Sequence, residues 1–160
     1  MTDEPKKQKH RYNTEDKIIK FDSSKVYVKF SDIHGRGVFA KEPIDMHDQI
    51  ELFPITPCIF RTNYQGDPTV IHYGFINDTC DCDDCKKHGF LIHNSSGYGN
   101  MYNHQHPDSC NARYEINYKE LYGQVFATKT IAMDEEITIY YGPNYNFPQG
   151  EIMNHEDSPG

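Results

Sequence analysis

The stretch GYGNMYNHQHPDSCNARYE, residues 97 to 115, carries three tyrosines, two histidines, a cysteine and three asparagines in nineteen positions. Glycines open it and an alternating apolar run closes it. Asn103 and His104 follow directly on an apolar-aromatic step, and Asn111 stands just before a strand-like segment. Their side chains offer fixed donors and acceptors, suited to an ammonium, a carboxylate or an adenine edge. An Asn-type turn that closes a loop accounts for the same residues equally well.

Working outward, short runs rich in β-branched and aromatic residues surround this stretch: VYVKF (26–30), GVFAKEPI (37–44), QIELFPI (49–55), VIHYGFI (70–76), GFLIH (89–93), ARYEINY (112–118), QVFATKTI (124–131) and EEITIYY (135–141). Each has the length of a strand and is bounded by Gly, Pro, Asn or Asp. No window sustains a helical period over three turns. The expectation is a mostly β domain of several small sheets over residues 23–146, with any helix confined to about 60–74 or the tail, and no internal repeat. Residues 1–22 are mostly charged and read as a flexible polar arm, and residues 147–160, rich in Pro, Gly and charge, as a C-terminal tail.

With 160 residues the chain has room for one hydrophobic core. Its 24 acidic and 16 basic residues leave a formal charge of −8, which argues against a broad nucleic-acid-binding face and favours a basic partner such as a Lys/Arg-rich peptide. The first apolar run, KIIKF at 17–21, is too short for a signal-peptide core, and nothing approaches a membrane span. A soluble intracellular protein, in the cytoplasm or nucleus, is expected. Five cysteines without secretory context fit free thiols or metal ligands better than disulfides.

Two further segments carry chemistry. In HGRGVFAKE, Gly35 and Gly37 flank Arg36 between strand runs, where the backbone can turn sharply and present bare N–H and C=O groups; a simple glycine turn explains as much. In IAMDEEITIYYGPNY, a strand ends in Tyr140-Tyr141-Gly142 with Tyr145 soon after, so aromatic faces could wall a narrow channel. Ordinary core or edge packing is the alternative fate of those rings.

Taken in order, the three segments resemble the SET-domain lysine methyltransferases. That family shows a G-x-G, then N-H-S-x-x-P-N-A, then a close of the form G-E-E-(I/L)-T-x-x-Y-G; here they read GRG, NHQHPDSCNA and DEEITIYYG. The likeness spans roughly residues 25 to 146 and is nearest to minimal viral and bacterial SET proteins that lack flanking cysteine-rich modules, which would place a viral member in the host nucleus. It implies a β-clip-like SET fold with little helix and a knot-like crossing near the C-terminus. Two departures stand out: the segment between Asn103 and Asn111 is two residues longer than the pattern and contains Pro107, so the loop must bulge, and Asp134 replaces the glycine before the paired glutamates.

Carried over residue by residue, the resemblance implies that Arg36, Gly37, Asn103 and His104 hold S-adenosylmethionine. It implies that Tyr141 is the catalytic tyrosine, and that Tyr98, Tyr114, Ile139 and Tyr145 line the channel for a substrate lysine. Lysine is protonated at neutral pH, with an ordinary pKa of about 10.4. A desolvated aromatic channel beside a sulfonium would ease proton loss. An apolar Ile139 favours progress beyond one methyl group, whereas the Tyr114 hydroxyl could retain a water and oppose it; di- or trimethylation is expected. A minimal core with so short an end after Tyr145 would be completed by a second copy in a homodimer.

Cys80, Cys82 and Cys85 fall within six residues, and Cys58, Cys110, His88 or His93 could complete four ligands around zinc. A reduced acidic hairpin tip explains the cluster too. Three functions follow from these readings: a protein-lysine methyltransferase, a catalytically silent SET-like peptide-binding module, or a small zinc-stabilised interaction protein.

Overall fold

Apolar and β-branched runs become strands here because each has neighbours that complete its backbone hydrogen bonds and cover its apolar face. The computed structural model describes residues 18–61, 75–77 and 83–142. In chain order the strands are β1 (Val26–Phe30), β2 (Arg36–Ala40), β3 (Gln49–Arg61), β4 (Phe75–Asn77), β5 (Gly89–Ser95), β6 (Asn103–His104), β7 (Ala112–Asn117), β8 (Tyr122–Ala127) and β9 (Glu136–Ile139). They form one hydrogen-bonded path in the order β1-β2-β9-β7-β8-β3-β5-β4, with β6 beside β9. The joins are narrow where β9 is involved: β2 meets it at Val38↔Ile137 and Phe39↔Glu136, and β7 at Ala112↔Ile139 alone. The path therefore divides into small antiparallel pieces hinged on the C-terminal strand.

The thirteen residues of β3 belong to two pieces, since 49–54 pair with β8 and 55–61 with β5. A β-bulge between Gln49 and Glu51 interrupts the first ladder. A bulge breaks the strict in-out alternation of a strand, and both Ile50 and Glu51 are accordingly buried. The apolar faces meet around Phe53, Ile44, Ile131, Ile137 and Val125, all at most 2 % exposed. Burying a side chain of this size contributes about 1.5–3 kcal/mol.

β9 occupies a singular position. One edge faces β2 and then β6, which runs parallel to it through Asn103↔Thr138 and His104↔Ile139. The other edge faces Asn111, whose N–H donates to the Thr138 carbonyl at 3.3 Å and whose side-chain oxygen accepts from the Thr138 N–H at 2.9 Å. The segment from 103 to 112 thus straddles the C-terminal strand, which is the knot-like crossing.

Two expectations need correction. Helix is not confined to 60–74 or the tail, because α1, Asp83–His88, is the one helix among the described residues; residues 62–74 and 143–160 lie outside the described residues. Six residues are too few to show a period over three turns, but acidic residues at the start and basic ones at the end suit the helix dipole. The chain also does contain a repeat. Residues 38–52 (VFAKEPIDMHDQIEL) and 125–139 (VFATKTIAMDEEITI) align without a gap, sharing VFA, then Ile, Met and Ile. Their hydrogen bonds exchange in pairs: Ile44 and Ile131 bond each other in both directions, His47 N–H donates to Ala127 C=O as Asp134 N–H does to Ala40 C=O, both at 2.8 Å, and Ala127 N–H donates to Asp48 C=O as Ala40 N–H does to Glu135 C=O. His47 and Asp134, equivalent in the two copies, both have positive φ, 74° and 67°. Fifteen residues with six identities are too weak a pattern to notice until the bridge pairs them.

Candidate active site

The turn after β1 is closed by the Ser31 N–H donating to the Gly35 carbonyl at 2.8 Å, with Gly35 at φ +47°. It delivers Gly37 against the 103–104 segment. The Asn103 amide donates to the His34 carbonyl at 3.0 Å, to Glu136 Oε1 at 2.8 Å and, at the limit, to the Arg36 carbonyl at 3.5 Å. Ser31 Oγ donates to the same carboxylate at 2.8 Å. A Cβ on Gly37 would lie 2.1 Å from Glu136 Oε1 and 3.0 Å from Asn103 Nδ2. Glycine is required there because the Asn103 and Glu136 side chains meet directly over its backbone. The three sequence motifs, far apart along the chain, converge on this point.

Asn103 is 8 % exposed, and its hydrogen bonds all use the amide nitrogen, which leaves the carbonyl oxygen to accept from a ligand. That oxygen beside a bare glycine backbone fits the α-ammonium and carboxylate of an amino-acid-like cofactor such as S-adenosylmethionine. Arg36 itself is exposed, its guanidinium 4.2 Å from the Phe30 ring centre, so its backbone rather than its charge faces the convergence.

His104 Nδ1 accepts from the Tyr141 N–H at 3.1 Å, and its ring lies 5.1 Å from that of Tyr141 and 5.6 Å from that of Tyr140. Burial, with a smaller contribution from His106, holds its pKa below the usual 6.5, in keeping with a neutral ring whose proton sits on Nε2. The Tyr141 hydroxyl donates to the Tyr102 carbonyl. Tyr102 is fully buried, and burial together with the Glu51 carboxylate pushes its phenol well above the usual range.

Next to Tyr141 opens a cavity of about 560 Å³, lined by Cys110, Tyr114, Lys129, Tyr140, Tyr141 and Gly142 among others. Tyr114 is half-buried, meets Phe75 edge to face at 5.1 Å, and has its phenol pKa raised by burial. The expected loop bulge between Asn103 and Asn111 is a single tight turn, with the Ser109 and Cys110 N–H groups both donating to the His106 carbonyl. It brings Pro107 and Cys110 to the cavity wall.

Tyr98 and Ile139 are not among the residues lining this cavity. Tyr98 gives its N–H to Glu51 and rests on the core, and Ile139, 2 % exposed, is packed within it. Tyr145, Cys80 and Cys82 lie outside the described residues, and Cys85 falls in α1. Among the described residues no three His, Cys, Asp or Glu are grouped as metal ligands would be.

Sequence reasoning passed over three residues that build this site: Glu136 orients Asn103, Tyr102 receives the Tyr141 hydroxyl, and Glu51 anchors Tyr102. Asn111, read as a donor and acceptor ahead of a strand, ties the loop to β9. Glu136 was legible as half of a paired-glutamate motif, whereas nothing in the sequence set Glu51 apart from an exposed charge. Asp134, which replaces the family glycine, sits in the left-handed region where glycine is easiest and Asp among the better-tolerated alternatives.

A SET-domain family model matches residues 35–142 of the chain, and the chain belongs to the SET-domain family. Members are typically protein-lysine methyltransferases that use S-adenosylmethionine. Among solved structures, the crystal structure of a Plasmodium falciparum "putative histone methyltransferase" is similar to this chain, with 27% identity and a TM-score of 0.57 over 76% of this chain and 96% of that one. A search of curated proteins finds no match.

Proposed function

We propose that the protein transfers methyl groups from S-adenosylmethionine to the side-chain amine of a lysine in a basic protein segment. The observation that carries this reading is the chain of contacts from the 35–37 turn through Asn103 and His104 to Tyr141, which lines a cavity together with Tyr114 and Tyr140. S-adenosylmethionine supplies the electrophilic methyl group. The Gly37 backbone and the Asn103 carbonyl oxygen bind its amino-acid end, and His104 keeps the Tyr141 backbone in place beside it.

Tyr141 acts on the amine. Its hydroxyl proton is directed to the Tyr102 carbonyl, so toward the substrate the oxygen acts as an acceptor, taking an N–H and so aiming the nitrogen lone pair. Burial among Tyr114, Tyr140 and Tyr141 disfavours the ammonium form and eases its deprotonation, while the ring faces accommodate the methylated cation. A net charge of −8 suits a basic substrate, and the naming of the Plasmodium falciparum relative makes a histone tail the first one to try. With Ile139 in the core and Tyr114 on the cavity wall, the Tyr114 hydroxyl is the group that sets whether transfer goes beyond one methyl group to two or three, and a homodimer is the proposed assembly.

Calorimetric titration with S-adenosylmethionine, followed by methyl transfer to lysine peptides, tests the reading. Tyr141→Phe should keep cofactor affinity and lose at least about tenfold in rate, the pattern of a contact made in the transition state. No cofactor binding in the parent, or full activity in Tyr141→Phe, would overturn it.

A further inference from the structure

A carboxylate in the core lies outside the reaction as described. Glu51 is 0 % exposed. Its Oε2 accepts from Ser23 Oγ at 2.5 Å and from the Tyr98 N–H at 3.0 Å, and its Oε1 accepts from the Tyr102 hydroxyl at 2.8 Å. A hydrophobic residue would serve the core without the desolvation that a buried carboxyl incurs. The chain nevertheless puts a bulge in β3 at this position. In the other copy of the repeat the ladder runs straight, with Ile137 opposite Val38; here the bulge sets Glu51, rather than Ile50, opposite Val125.

The three donors identify what is being held. Tyr102 immediately precedes Asn103, and its carbonyl accepts the Tyr141 hydroxyl. Anchoring the Tyr102 ring by its hydroxyl limits how far the Tyr102 Cα and the carbonyl attached to it can shift, and with it the acceptor toward which the Tyr141 proton points. The second contact clamps the backbone at Tyr98, where the segment enters the site. The third brings in Ser23, beside Asp22, which is itself doubly hydrogen-bonded to Leu52. We infer that Glu51 is a positioning residue for methyl transfer: through the Tyr102 hydroxyl and backbone it holds the Tyr141 hydroxyl in the orientation that accepts the substrate amine. This rests on the methyltransferase reading.

Glu51→Gln keeps the shape and one acceptor oxygen but presents an amide NH2 in place of the other. Tyr102→Phe removes the hydroxyl and leaves the carbonyl. Steady-state kinetics on a lysine peptide, with calorimetry for S-adenosylmethionine, should show kcat reduced by about fivefold in each variant while peptide KM and cofactor Kd stay within about twofold. The double variant should lose little more than either alone, because both act through one contact. In protein carrying 13C-labelled tyrosine, with the Tyr141 ring signal assigned by Tyr141→Phe, Glu51→Gln should shift that signal. A purely structural role predicts lower stability with kcat and the Tyr141 signal unchanged, and that result overturns the inference. If the parent methylates no lysine peptide, the function assigned above falls and the role in methyl transfer with it; the Tyr141 signal then decides only whether Glu51 orients the Tyr141 hydroxyl, movement in Glu51→Gln showing that it does and no movement that it does not.

Discussion

The two copies of the repeat, 38–52 and 125–139, make the same turn and do different work. Each leaves a VFA strand, crosses its partner at an isoleucine, reverses through a left-handed residue after methionine and enters a new strand. Past the turn they diverge. The first continues for thirteen residues as β3, a bulged antiparallel strand that pairs with β8 and then with β5. The second stops after the four residues of β9, held between parallel β6 and the Asn111 side chain, and releases Tyr140 and Tyr141 into the site. The shared isoleucine, methionine and left-handed backbone thus fix the turn, and the neighbours of the outgoing strand decide whether it becomes scaffold or candidate site.

Substituting the shared isoleucine tests that contrast with the largest expected effect. Ile50→Ala and Ile137→Ala should each cost about 2–5 kcal/mol in urea unfolding, since both side chains are buried and leave cavities. Only Ile137→Ala should also weaken S-adenosylmethionine binding in calorimetry, because the residues on either side of it hold Asn103 and Asn111; equal affinity in the two variants would remove the distinction.

A smaller loss is expected from Asn111→Ala. It leaves the Thr138 N–H and the Glu136 carbonyl without their partners, at a cost of about 1–3 kcal/mol. Amide hydrogen exchange should quicken at Thr138 while β3 stays protected; quickening of both would show that the copies unfold as one unit.

Acidification acts on the second copy through His104. Its pKa is lowered in the folded protein, by burial first and His106 second, so the unfolded chain takes up the proton at higher pH than the folded one. The stability carried by the neutral ring is complete above the unfolded value of 6.5 and is lost as pH falls from there through the folded value. His104→Gln, which retains an acceptor but does not titrate, should flatten that part of the stability profile; an unchanged profile would assign the slope to another group.

The left-handed pair gives the smallest effect. His47→Gly removes a side chain from a conformation that disfavours it and should gain up to about 1 kcal/mol. Asp134→Gly gains the same relief but loses the exposed bond from the Tyr27 hydroxyl, so its stability should change little.

Much of the scaffold was legible along the chain. The strand runs at 26–30, 89–93 and 112–118 reappear as β1, β5 and β7 with small shifts of boundary, and 49–55 as the first half of β3, which continues to Arg61, because alternating or continuous β-branched runs with turn residues at their ends constrain only near neighbours. The order of GRG, NH and EEITIYYG likewise pointed to the family and to Asn103, His104 and Tyr141. Helix α1 escaped because six residues carry no period, and Glu51 because one charge in an apolar run looks like an exposed edge.

Sequence alone therefore determined the turns, the strand segments and the chemical groups available. Tertiary structure decided which of those groups meet. Asn103 and Glu136 are thirty-three residues apart and Gly37 is sixty-six from Asn103, yet a single Cβ at Gly37 would touch both side chains. Glu51 and Tyr102, fifty-one residues apart, share one buried hydrogen bond. Local propensity acts over a few residues, whereas these contacts exist only once β9 is straddled by the 103–112 segment and the bulge in β3 has turned a carboxylate inward, arrangements set by packing and by the need to pair every buried polar group.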